Sequence, residues 1–124
     1  MYEVNRSIAI IRPKAPFLQW LCGLPGSFDA SELTLDVLGQ SSNALLIPPA
    51  DDRTSLIDFV LQHYHSLFQA ELADWCEDQS YWPQQLTPAL FTQWFEIEIH
   101  PVLTDIVDTE LAREPFVPLD LNPS

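Results

Sequence analysis

A chain of 124 residues with 47% hydrophobic and 11% aromatic side chains can bury about two thirds of its unfolded surface around one core, which excludes a disordered chain or a disulfide-dependent miniprotein. Eighteen acidic against five basic side chains give a net charge of −13, which argues against direct nucleic-acid binding, because a phosphate backbone would be repelled. No apolar run reaches the ~20 residues of a membrane span, and the opening MYEVNRSIAIIRPK lacks the order of a signal peptide, so a cytoplasmic location with no membrane partner is expected.

Val4 to Pro13, VNRSIAIIRP, reads as a strand with Arg6, Ile8, Ile10 and Arg12 on one face and Ser7, Ala9 and Ile11 on the other. Apolar residues on both faces place it inside a sheet. Three of the five basic residues, Arg6, Arg12 and Lys14, lie in or beside it; they either neutralise carboxylates on neighbouring elements or form an anion or partner site. Pro16 suits the first turn of a helix carrying Phe17, Trp20, Leu21 and Leu24, which Gly23 and Pro25-Gly26 stop. Residues 27–42 read as a loop with a short helix starting near Thr34. Ala44 to Ile47 is a second strand, ended by Pro48-Pro49.

The longest periodic stretch, Asp51 to Trp75, predicts one continuous helix ending near Cys76, with Asp51 or Asp52 as its cap. At 100° per residue Ile57, Val60, Leu61, Tyr64, Phe68, Leu72 and Trp75 form its core-facing stripe. Glu77 to Pro83 is a polar loop, and Thr87-Pro88 caps a short helix bearing Leu90, Phe91, Trp94 and Phe95. From Glu96 the period changes to two, with Ile97 and Ile99 alternating against Glu96, Glu98 and His100. Pro101 implies an edge, a bulge or a break, and Val102 to Val107 either continues in altered phase or turns back as a hairpin partner. The expected fold is α+β, a small mixed sheet of about three or four strands packed by one long and two short helices. It forms a single domain over 1–124, with an extended C-terminal strap from about 112 to 124.

Glu96, Glu98 and His100 share one strand face, with bases ~7 Å apart along it, and two carboxylates with an imidazole suit manganese, iron or zinc. The same spacing also arises in any half-exposed acidic strand. His63 and His65 project about 200° apart on a helix and cannot share a metal there. Glu71 falls inside the apolar stripe, where it either pairs with Arg12 or Arg6 as a buried ion pair or rises clear of the core into water. Tyr81 and Trp82 in the YWP loop are candidate partner anchors. Cys22 and Cys76 form no C-x-x-C pair and read as free thiols. With three glycines, no G-x-S-x-G and no phosphate-cradling loop, no cofactor is expected.

The segments NRSIAIIRPKAPFLQWL, Thr34 to Pro49, the helix ending ELADW, and WFEIEIHPVLTDIVD together resemble a family of small acidic bacterial proteins of unknown function. The resemblance implies no activity. The functional expectation is therefore a non-enzymatic protein acting through protein contacts, with a partner or with itself, a nucleic-acid charge mimic that binds a basic protein being a special case. The alternative is a small metal-assisted enzyme using Glu98 and His100, with Arg12 as anion binder.

Overall fold

The structure, a computed structural model, describes residues 1–26 and 32–116. A short strand β1 (Tyr2–Glu3) precedes β2 (Ser7–Pro13), whose β-branched SIAII run favours an extended chain. After β2 come the helices α1 (Ala15–Cys22) and α2 (Leu35–Gly39), then strand β3 (Asn43–Ile47). Helices α3 (Arg53–Gln62), α4 (Tyr64–Ala73) and α5 (Pro88–Trp94) lead to β4 (Phe95–His100) and the two-residue β5 (Thr104–Asp105). The architecture is α+β, as the sequence predicts. The sheet is antiparallel throughout rather than mixed, with β2 in the centre between β3 and β4. The reason lies in the connection: Asn43 sits opposite Ile11, so α1 and α2 leave and re-enter at the same end of the sheet and make no crossover.

One face of β2 carries Ser7, Ala9 and Ile11, all buried beneath the helices with Ile47 of β3 and Phe95 and Ile99 of β4. At the centre of the core four phenylalanines interlock. Phe17 and Phe91 each stand 5.1 Å from the Phe95 ring, and Phe68 lies edge-on to Phe91 at 5.6 Å and to Phe95 at 5.7 Å. The local caps follow the sequence: Thr34, Asp52 and Thr87 accept from Val37, Thr54 and Leu90 respectively.

The expected single long helix is broken at His63, which adopts φ −109° and ψ 15°. Its backbone N–H turns back to the Val60 carbonyl at 2.9 Å, three residues behind instead of four. The Phe59 carbonyl, left without its helical donor, is met at 3.0 Å by Nδ1 of the His63 ring. The side chain thus stands in for the missing backbone bond, and the break needs neither proline nor glycine. The inward stripe splits accordingly. Leu56 and Val60 are buried on α3 and Phe68, Glu71 and Leu72 on α4, whereas Ile57, Leu61, Tyr64 and Trp75 are only partly covered.

Two further expectations change. Trp82 is not exposed: only 9% of it reaches solvent, and its indole Nε1 donates to the Cys76 carbonyl at 2.8 Å. The 3₁₀ turn Gln79–Tyr81 ahead of it is fastened to α1 by Trp20 Nε1, which donates to the Tyr81 carbonyl at 2.8 Å. The segment after Pro101 is no hairpin partner of β4. It pairs with the N-terminus, Tyr2 opposite Asp105 and Glu3 opposite Thr104. Between that pair and Ile8 opposite His100, Val4 to Ser7 face only Pro101 to Leu103, so the longer side bulges. Ser7 Oγ donates to the Pro101 carbonyl at 2.8 Å and closes the gap. Of the expected strap, residues 112–116 are solvent-exposed; Val117, Leu119 and Leu121 lie outside the described residues. Among the described residues no helix is long and apolar enough to cross a membrane.

Candidate functional site

The helices cover one side of the sheet and leave the other bare. The bare face presents Ile8 and Ile10 of β2, Ala44 and Leu46 of β3, and Glu96, Glu98 and His100 of β4, with Arg12 opposite Glu96. None of Ile8, Ile10 or Leu46 belongs to the core cluster, and Leu46 is 53% exposed. Beside them Arg12 and His100 both grip Glu98. The guanidinium Nε and NH2 donate to the two carboxylate oxygens at 3.0 and 3.3 Å, and His100 Nε2 lies 2.8 Å from Oε2. Hydrogen bonds from Arg12 and then His100 pull the Glu98 carboxyl down to about 2, and Glu98 in turn raises the Arg12 guanidinium. Strand register brings all three together, so this part of the sequence-derived set does converge. Glu96, opposite Arg12, adds its charge to the rise of the guanidinium but forms no hydrogen bond or ion pair with Arg12 or His100.

A second constellation centres on Glu71, which is buried but not ion-paired. Arg12 is committed to Glu98, and Arg6 bonds the side chain and carbonyl of its neighbour Asn5, so neither fills the expected role. The partner is Asn43, whose Nδ2 donates to Glu71 Oε1 at 2.6 Å. Burial pushes the Glu71 carboxyl up to about 7; the Asn43 bond opposes the rise and the nearby Asp74 charge adds to it. Glu71 lines a pocket of about 190 Å³ between α1, α2 and α4. Pro13, Phe17, Leu38 and Trp75 form its apolar wall, and Ser41, Ser42 and Asp74 its polar rim. No local pattern announces Asn43, which meets Glu71 only across 28 residues of chain, or the serines that line the same pocket.

The remaining candidates do not converge. Tyr81 is 47% exposed but stands without Trp82 as an exposed neighbour. His63 serves the helix break, and His65 packs edge-on to Tyr64 at 6.0 Å. Cys22 and Cys76 are free thiols. Among the described residues no three His, Cys, Asp or Glu side chains gather as a metal site. No family model matches this chain, and no characterised protein or solved structure matches it either.

Proposed function

We propose that the protein is a non-enzymatic binding module whose bare sheet face docks a cationic protein. The observation that carries this reading is the face itself: Ile8, Ile10, Ala44 and Leu46 form an uncovered apolar patch flanked by the acidic strand β4. The patch runs on around the β3 edge into a groove of about 220 Å³ between Leu45, Ile47, Phe59 and Leu67. Charge selects the occupant. A net charge of −13, with Glu96 exposed beside the patch and in no close ion pair, attracts an apolar surface ringed by Lys and Arg. A second copy of this chain would bring −13 against −13, so self-association has less support. A nucleic-acid charge mimic is one form of the same reading. Metal-assisted chemistry has less support, because both Glu98 oxygens are already held by Arg12 and His100.

The test starts from affinity capture on the immobilised protein and continues with the purified pair. The expected partner is basic and binds more weakly as salt rises, and Leu46→Asp lowers affinity at least about tenfold while Tyr81→Ala leaves it unchanged. Concentration-dependent dimers of the protein alone in sedimentation, or loss of binding through Tyr81→Ala instead of Leu46→Asp, overturn the assignment.

A further inference from the structure

The pocket beneath α1 and α2 has a chemistry of its own, independent of the bare sheet face. A carboxyl group that is 9% exposed normally finds a cation or keeps its proton. Among the described residues Glu71 has no cation: no Lys, Arg or His lines the pocket, and its one partner is the neutral Asn43 amide on Oε1. Oε2 makes no hydrogen bond to any described residue, yet no fully buried polar side-chain atom among those residues lacks a partner. Oε2 is therefore open to the pocket that Glu71 lines. Asp74 adds negative potential at the rim, and the Ser42 hydroxyl, which donates to the Gly39 carbonyl at 2.9 Å, keeps its oxygen lone pairs for a donor.

These features define the complementary molecule. Its polar end must donate hydrogen bonds and carry positive charge, and its body must tolerate Phe17, Leu38 and Trp75. The volume of about 190 Å³ far exceeds the ~15 Å³ that one water requires but falls short of the ~300 Å³ at which drug-sized sites begin. A bare divalent ion is a poor match, since two carboxylates, one already bonded through Oε1, make an incomplete shell among apolar walls. We propose that this pocket binds a small organic cation, a primary ammonium or amidinium group on a short apolar body, with Glu71 as its counter-ion.

Binding then displaces the proton that Glu71 holds near neutrality. Besides Glu71 itself, the groups facing the bound charge are Asp74 at the C-terminal cap of α4, Asn43 on β3, and Ser41 and Ser42 between α2 and β3; among the described residues Asp74 is the only other titratable one lining the pocket. With the Glu71 carboxyl at about 7, a cation that binds only the ionised form gains about tenfold in affinity between pH ~6 and pH ~8.

The experiment is titration calorimetry of the whole protein with n-butylamine and benzylamine, each against the alcohol of the same shape, at both pH values. The amines are expected to bind and the alcohols not, with the tenfold pH gain. Glu71→Gln, whose amide oxygen still accepts from Asn43, should stay folded and lose amine binding, and Asp74→Asn should weaken it by about two- to threefold. Equal binding of alcohol and amine, a flat pH response, undiminished affinity in folded Glu71→Gln, or no amine binding up to tens of millimolar each overturns the proposal.

Discussion

The two sides of the sheet treat the same side chain in opposite ways. On the bare face Glu98 has water available and still receives both a guanidinium and an imidazole, which hold its carboxyl at about 2. On the covered side Glu71 has almost no water and receives a neutral amide, which leaves its carboxyl at about 7. The cations lie where solvent would have sufficed, and the site that lacks solvent has none. An exposed ion pair contributes little to stability, whereas an unpaired buried carboxylate costs a great deal. The covered glutamate should therefore govern how stability depends on pH.

The largest expected effect follows from that asymmetry. The Glu71 carboxyl is raised from its ordinary 4.5 to about 7, so the folded state binds more protons than the unfolded chain in that window and stability falls as pH rises through it. The penalty is roughly 3 kcal/mol once Glu71 is fully ionised. Urea unfolding of Glu71→Gln should show a gain of that order at pH ~8 and almost none at pH ~4. A gain that ignores pH would remove Glu71 from this role.

Next in size is Asn43→Ala, which takes away the one donor that favours the ionised form. It should cost ~2 kcal/mol at alkaline pH and push the Glu71 carboxyl further up, measurable by carbon-13 NMR of the side chain. The smallest effect belongs to the bare face. Arg12→Ala should leave unfolding nearly unchanged at neutral pH, while the Glu98 carboxyl climbs back toward its ordinary 4.5. Since Glu98 is depressed, what stability it does contribute is present above that value and disappears as pH falls toward 2. A large loss of neutral-pH stability in Arg12→Ala would reverse the ranking of the two faces.

Features written in adjacent residues were legible before folding. Apolar residues on both faces of SIAII mark β2 as an interior strand, Thr87-Pro88 marks the start of α5, and Glu71 stands out as a carboxylate on an apolar stripe. The period of two puts Glu98 and His100 on one face, which the structure retains. What the sequence concealed depends on contacts distant along the chain or on unusual local substitution. Asn43 reaches Glu71 only because α1 and α2 return the chain to the end of β2 where it left, the same return that makes the pairing antiparallel. The break at His63 carries neither of the usual signs, glycine and proline, because here an imidazole replaces a backbone donor. Trp82 looked like a loop residue, and the loop folds inward around it.

The position of β2 also bears on how the chain is made. Ile8 finds its neighbour Leu46 early in synthesis but waits for His100 on the other side, so the middle strand stays half-zipped until β4 has left the ribosome. For that interval the β4-facing edge of a strand rich in isoleucine is open to any passing β-prone chain. Arg6, Arg12 and Lys14, grouped at its two ends in an otherwise acidic polypeptide, are well placed as gatekeepers that make such a meeting with another nascent strand less sticky.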